Sequence, residues 1–307
     1  MTESDLLSLL RTLPLHPGAR GLRDDAALVN GLIVTTDTLV EGVHYLPADP
    51  PADVASKLLA VNLSDLAAKG ATPEGVLLNY PLRDPDWDRA FVRGFDQALR
   101  AHDCPLIGGD TVTLPPGAPR ILTLTALGRD GAAPPRTGAR AGDALWVTGP
   151  IGDAGAGLAI ARGEPGPAEL LAAYRRPTPR LADGRALAAH VHAMSDVSDG
   201  LLLDAARMAE ASGLAVTLDL ATVPLSAAYI AHRGDTRASR LLAATAGDDY
   251  QLLFAAAPDY APAVPAARLG AFAPGRGLVL HYAGEPLPLP AALGYQHSPL
   301  APVHLAP

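Results

Sequence analysis

Seven aspartates placed at turns and element ends constrain this chain more than any other feature. They stand in DDAALV (Asp24, Asp25), TTDTLVEGVH (Asp37), NLSDLAAKG (Asp65), LIGGDT (Asp110) and SDVSDGLLLD (Asp196, Asp199). Each has small or hydroxyl neighbours, and several close an apolar run. That is where a sheet delivers side chains to a cleft. Carboxylates gathered without cations repel one another and take up protons. Bound divalent metal resolves that conflict, and an oxygen-only donor set favours magnesium. Magnesium clusters hold polyphosphates, so the first expectation is ATP-dependent phosphoryl transfer.

A chain of 307 residues, 49% of them hydrophobic, can build one large domain or two ordinary ones. Its net charge of −8 argues against non-specific nucleic-acid binding. The single cysteine, Cys104, excludes an internal disulfide framework and suits a reducing cytoplasm. It reads as a buried structural thiol. The basic residues are nearly all arginine, with Lys57 and Lys69 the only lysines, and this reads as a composition bias without functional weight. No stretch reaches membrane-spanning length. The acidic N-terminus reads as a short helix capped by Thr2 or Ser4, not as a signal peptide.

LIVTTDT (32–38), EGVLLNYPL, CPLIGGDTV and PRILTLTALGR (119–129) read as strands, the third ending in a glycine turn. ADVASKLLAVNLSDLAAKG (52–70) and DPDWDRAFVRGFDQALRAH (84–102) read as helices, the first closed by Gly70. DGAAPPRTGARAGD (130–143) has no periodicity and forms the domain boundary. This gives domains over 1–135 and 136–307. A strand, an Asp-containing turn and a helix recur in both halves. The fold class expected is therefore α+β, with an N-terminal mixed sheet plus helices and a C-terminal α+β domain facing it across a cleft.

Each motif has a plain alternative. Thr35, Thr36 and Asp37 offer two hydroxyls and a carboxylate to a cation, or form a hydrogen-bonded turn. Asn62 and Asp65 share a helix face with Lys69 a turn on. That face is either solvated, with an Asp65–Lys69 pair, or buried and in need of a partner. The glycines of GGDT admit a ligand or simply make a turn. SDVSDG is either a cap, through Ser198 or Asp199, or a phosphate-facing helix start. GPIGDAGAGL lacks the P-loop pattern, and the HxH at 190–192 has no third ligand nearby.

Six segments in order resemble the thiamine-monophosphate kinase family of the AIR-synthetase-like (PurM-like) superfamily. They are TTDTLVEGVHY, KLLAVNLSDLAAKGATP, LIGGDT, PRTGARAGD, SDVSDGLLLD and GDDYQLLF. The resemblance implies a two-domain PurM-like fold and a homodimer formed through N-terminal strands. It also implies ATP- and Mg2+-dependent phosphorylation of thiamine monophosphate to thiamine diphosphate, without a covalent intermediate. It assigns Asp25, Thr35, Thr36, Asp37, Asp65, Asp110, Asp196 and Asp199 to metal, with Asp37, Asp65, Asp110 and Asp196 central to catalysis. It assigns Gly109, Asp110, Arg136 and Ser198 to the nucleotide, and His44, Asp248 and Tyr295 to the thiamine substrate.

The chain departs from the family pattern in two places. Arg23 precedes Asp24 and Asp25 where glycine is usual, and it offers Asp24 a partner. Asp248 stands where a longer glutamate is usual, with Gln251 in place of a second acid. Competing readings are the other enzymes of the superfamily and a non-catalytic nucleotide-binding regulator. A selenophosphate synthetase needs a reactive residue near the start, and none precedes Cys104. The hydrogenase-maturation protein ends in a reactive cysteine, whereas this chain ends APVHLAP. AIR synthetase lacks the TDTLVxGxH wording.

Overall fold

The computed structural model describes residues 2–129 and 132–297, leaving out the side chain of Ser4. Residues 130–131 of the expected boundary lie outside the described residues. The first sheet contains β1 (Ala27–Val29), β2 (Leu32–Val40), β3 (Thr72–Leu82), β4 (Leu106–Thr113) and β5 (Ile121–Arg129). Its order is β1-β2-β5-β3-β4, mixed because only β3 and β4 run parallel. Along β5 the even-numbered residues 122–128 are buried and the odd ones are not. One face of the sheet is therefore packed and the other open.

The packed face is covered by α2 (Pro51–Ala68) and α3 (Pro85–Ala101), while α1 (Glu3–Leu10) lies at the N-terminus. Thr2 caps α1 in a reciprocal capping box with Asp5. Asp84 caps α3, accepting from the backbone N–H groups of Asp86 and Trp87 at 3.0 and 2.9 Å. Helix α2 is buried on nearly every side. Its apolar residues serve two cores. Leu58, Leu59, Leu63 and Leu66 pack under the first sheet, while Ala67 and Ala68 meet Leu187, Met194 and Phe254 of the second half. A helix apolar all round is a core helix. It ends at Gly70, whose φ of +65° suits glycine, and a Cβ there would stand 2.3 Å from Ala188 Cβ.

The second half holds β6 (Ala144–Thr148), α4 (Asp153–Ala161), α5 (Ala168–Arg175), α6 (Leu181–Leu187), β7 (Ala193–Asp196), α7 (Leu201–Ser212) and β8 (Ala215–Asp219). It continues with α8 (Ala227–Arg233), α9 (Arg237–Ala246), β9 (Leu252–Ala256), β10 (Ala266–Ala273), β11 (Gly277–Tyr282) and β12 (Glu285–Leu287). Its sheet runs β12-β11-β8-β10-β6-β9-β7, antiparallel except at β8–β11. The α+β architecture is as expected. Cys104 is free and buried, and burial pushes its thiol up to about 11. Among the described residues, no helix is long and apolar enough to cross a membrane.

Two local expectations are corrected. The glycines of LIGGDT lie inside β4 and not in a turn. A Cβ at Gly109 would meet Leu78 O of the neighbouring strand at 1.9 Å, so close strand contact already requires glycine there. Helix α7 is not capped by Ser198 or Asp199. Its N-cap is Gly200, and Asp204 reaches back from the first turn to accept from the N–H groups of Ser198 and Asp199, both at 3.1 Å.

Candidate active site

The middle of β2, the end of β7, the last turns of α2 and the segment before β1 meet in one place. Ligand oxygens of Asp25, Asp65 and Asp196 all lie within 4.8 Å of one another. Strand alternation turns Thr35 inward, where its hydroxyl hydrogen-bonds Asp65 and lies 3.1 Å from Asp25 O. The backbone N–H of Asp37 donates to Asn62 Oδ1 at 3.1 Å, and Ser64 donates to Asp196 at 2.6 Å. Thr36 also lines the cleft, but its hydroxyl is directed to Leu124 O at 3.0 Å.

Burial pushes the Asp37 carboxyl up to about 6 and that of Asp196 up to about 7. Asp65 is held well above the usual carboxylate range, first by burial and then by the charges of Asp37 and Asp196. Carboxylates crowded this tightly, with oxygen donors alone around them, fit a hard divalent cation. Asp25, Thr35, Asp37, Asp65 and Asp196 are the side chains that would hold it.

Fixed cations flank the cluster. Arg136 pairs with Asp25, and Arg20 pairs with Asp24. Arg23, the partner offered to Asp24 by sequence, lines the cleft instead. Lys69 is fully buried and contacts Asp24 at 2.5 Å and Asp25 at 3.0 Å. The expected Asp65–Lys69 pair is thus replaced by pairs to the two preceding acids. The solvated-face reading of α2 fails with it, because Asn62 and Ser64 are fully buried too.

A cleft of about 830 Å³ opens over the cluster. That is ample for a nucleotide, since small-molecule sites span about 300–1,000 Å³. Ser198, Asp199 and Arg136 line it with the acids, and Leu7 and Arg11 form part of its wall. Arg207 pairs with Asp199.

The residues assigned to the thiamine substrate gather beside His297, which lines the cleft. His44 Nδ1 accepts from Val40 N–H at 3.0 Å, so the ring proton sits on Nε2. Burial lowers the His44 pKa and favours this neutral form. The His297 ring lies 5.4 Å from His44 and 5.0 Å from Tyr295. Asp248 receives Lys57 Nζ at 2.7 Å and the Tyr250 hydroxyl at 2.9 Å. Lys57 also donates to His44 O at 3.0 Å and sits 4.3 Å from the Tyr174 ring centroid. Asp248 and Tyr250 both have left-handed φ, +62° and +49°. Backbone bonds to Ser198 O (2.7 Å) and Val197 O (2.8 Å) impose this conformation. Gln251 accepts from Arg180 at 2.9 Å within the fold.

Asp110 and Gly109 are not brought to the cluster. Their strand β4 is the sheet edge opposite β1, exposed along its whole length. The register runs Asp110–Asn79–Thr123–Thr38, three strand spacings across. At about 4.8 Å each, that leaves roughly 14 Å between Asp110 and β2. Position 298, next to the His297 ring, lies outside the described residues.

Sequence reasoning missed Lys57, Arg20, Arg207, Asp204 and Tyr250, and offered Lys69 only as a partner of Asp65. A signal for the two lysines existed. In a chain whose basic residues are otherwise arginine, the only two lysines are 2% and 0% exposed and both sit in the site. Arginine's planar fork needs more room than a compact ammonium, so lysine persists where a small buried cation is required.

Two family models match. Residues 23–129 fit the N-terminal domain of AIR synthase related protein, and 140–282 its C-terminal domain. The chain is 38% identical over 322 residues to thiamine-monophosphate kinase of Caulobacter vibrioides, covering 96% of this chain and 91% of that one. It is 41% identical over 249 residues to thiamine-monophosphate kinase of Salmonella typhimurium, covering 76% and 75%. Its fold matches that of AaThiL complexed with AMPPCP and TMP, with a TM-score of 0.85, 28% identity and 97% of each chain covered. It also matches thiamine-monophosphate kinase from Stenotrophomonas maltophilia K279a, with a TM-score of 0.75, 37% identity and coverage of 92% and 96%. With its aspartate motifs in order and both domains matched, the chain belongs to the thiamine-monophosphate kinase family.

Proposed function

We propose that this chain transfers the γ-phosphoryl group of ATP to the phosphate of thiamine monophosphate, giving thiamine diphosphate and ADP, the last step of thiamine diphosphate synthesis. The observation that carries the reading is the cleft itself. Asp25, Asp65 and Asp196 line it within 4.8 Å of one another, and His297, also on its wall, lies 5.4 Å from His44, which Lys57 bridges to Asp248. Relatives at 38–41% identity bear the name of this activity, and a solved relative holds AMPPCP and TMP.

The acceptor is a phosphate monoester with a second pKa of about 6, so it is already ionised at neutral pH. A general base is not required, and the neutral His44 suits hydrogen bonding better than proton abstraction. Catalysis reduces to aligning two anions and neutralising their charge. Mg2+ bound by the aspartates supplies that neutralisation. Arg136, anchored to Asp25, is placed to add charge at the phosphates. Ser198 presents its hydroxyl from a loop pinned by Asp204. Asp248, fixed by Lys57 and Tyr250, offers acceptor oxygens to the substrate's amino group, with Tyr295 beside it for the ring. We place the two working domains at 1–135 and 136–307, in a cytoplasmic protein. Incubation of the purified chain with ATP and thiamine monophosphate tests the reading, with one ADP expected per thiamine diphosphate. ATP hydrolysis without thiamine diphosphate would refute it.

We further propose that the working unit is a homodimer joined through the first sheet. Strand β4 is an unpaired edge carrying exposed Leu106, Ile107 and Val112. Such edges are normally covered or paired. A second copy laid on this sheet accounts for Asp110 and Gly109, since Asp110 would then join the site of the other copy. Asp37→Asn and Asp110→Asn chains, each inactive alone, are expected to recover activity when refolded together. Random pairing gives about a quarter of the parental value. Mixed dimers without recovery would place both aspartates in one chain's site.

A further inference from the structure

The ammonium of Lys69 is surrounded as a metal ion would be. Its side chain is fully buried, and four oxygens converge on Nζ: Asp24 Oδ1 at 2.5 Å, Asp25 Oδ2 at 3.0 Å, Met194 O at 2.9 Å and Pro134 O at 3.3 Å. The two carboxylates are almost as enclosed, 1% and 3% exposed. Two carboxylates and two carbonyls form a hard oxygen shell of the kind that otherwise takes a divalent cation. Asp25 faces both ways. One oxygen meets Lys69 and the other Arg136, and Asp25 also belongs to the triad with Asp65 and Asp196.

An all-acceptor shell holds a cation and not a neutral amine, which would turn a lone pair toward oxygen. The lysine itself is informative. Elsewhere the chain uses arginine for basic charge, and it keeps an ammonium here and at Lys57. Arg20 completes the group by pairing with Asp24.

We propose that Lys69 is a resident cation that permanently fills a metal-like site at the Asp24–Asp25 end of the cluster. It thereby sets how many divalent ions this chain binds. Asp25 is held oriented before any metal arrives, and the ions that do bind are confined to the side of Asp25 that faces Asp65 and Asp196. The inference concerns metal count in the family's own site and does not depend on which substrate is phosphorylated.

The test is K69M, which keeps an unbranched side chain one atom shorter and removes the charge. Mn2+ bound per chain is counted by equilibrium dialysis without nucleotide, and thermal midpoints are taken with and without Mg2+. The K69M chain is expected to bind one Mn2+ more than the parent. Its metal-free midpoint should fall by several degrees, and Mg2+ should restore most of that loss. The double variant D24N/K69M should return to the parental count, because the extra ion needs Asp24. An unchanged count in K69M overturns the proposal. So does a K69M chain that stays unfolded at millimolar Mg2+, since the shell would then not accept a metal in place of the ammonium.

Discussion

Asp65→Asn is expected to lower kcat about a thousandfold while raising metal-free stability. Asp65 is the centre of the cluster, touched by Thr35 and flanked by Asp37 and Asp196. Losing its charge removes a metal ligand, and a thousandfold loss corresponds to about 4 kcal/mol of barrier. The amide oxygen still accepts from Thr35, so the fold keeps that bond. Without metal, the same substitution relieves repulsion between buried carboxylates.

The sign of the stability effect follows from linkage. Asp37 and Asp196 have folded values of about 6 and 7, against 3.8 for the free side chain, and Asp65 is raised as well. Between the lower and upper values the folded chain binds more protons than the unfolded one. Metal-free stability therefore falls as pH rises from 3.8 through these values. Thermal melts of the parent in EDTA are expected to fall across that window, and Mg2+ should flatten the trend. Asp65→Asn should show a higher midpoint at neutral pH and a shallower slope. A variant that is both active and no more stable would remove Asp65 from a metal-binding role.

Lys57→Met is expected to act through Asp248 and His44. Lys57 holds Asp248 at 2.7 Å and the carbonyl of His44 at 3.0 Å, so it links two residues assigned to the thiamine substrate. Asp248 is one methylene shorter than the usual glutamate, and its position depends on that bond and on Tyr250. The KM for thiamine monophosphate should rise about tenfold or more, while the KM for ATP stays within about twofold, since uniform binding is lost for one substrate alone. Stability should drop by about 2 kcal/mol, the cost of stranding one partner of a half-buried pair. Equal changes in both KM values would mean a general loosening instead of a substrate-specific one. Steady-state kinetics with each substrate varied in turn separates these outcomes.

The aspartates were legible because their neighbours are small or hydroxylated and because several close an apolar run. Asp25, Asp37, Asp65, Asp196 and Asp199 do reach one cleft. Asp110 looked the same in sequence, but its place depends on strand order. The chain puts β5 and β3 between β2 and β4, a choice no local pattern encodes. The glycines beside Asp110 suggested a turn because turns and close strand contacts demand the same residue. The cap of α7 was misread because Asp204 reaches back to Ser198 and Asp199, reversing donor and acceptor as a local rule would assign them. Helix α2 concealed Lys57 and Lys69, since a lysine in a helix is ordinarily a solvated one. Only burial of that helix from both halves makes its lysines structural cations.

One measurement bears most directly on the claim that this aspartate cluster, charged with Mg2+, moves a phosphoryl group onto a phosphate. It is formation of thiamine diphosphate from thiamine monophosphate and ATP by the purified chain, with Mg2+ and then with EDTA. Product that appears with Mg2+, vanishes with EDTA and returns when Mg2+ is restored is the predicted result. Product that persists undiminished in EDTA, or ATP consumed with thiamine monophosphate left unchanged, would contradict it.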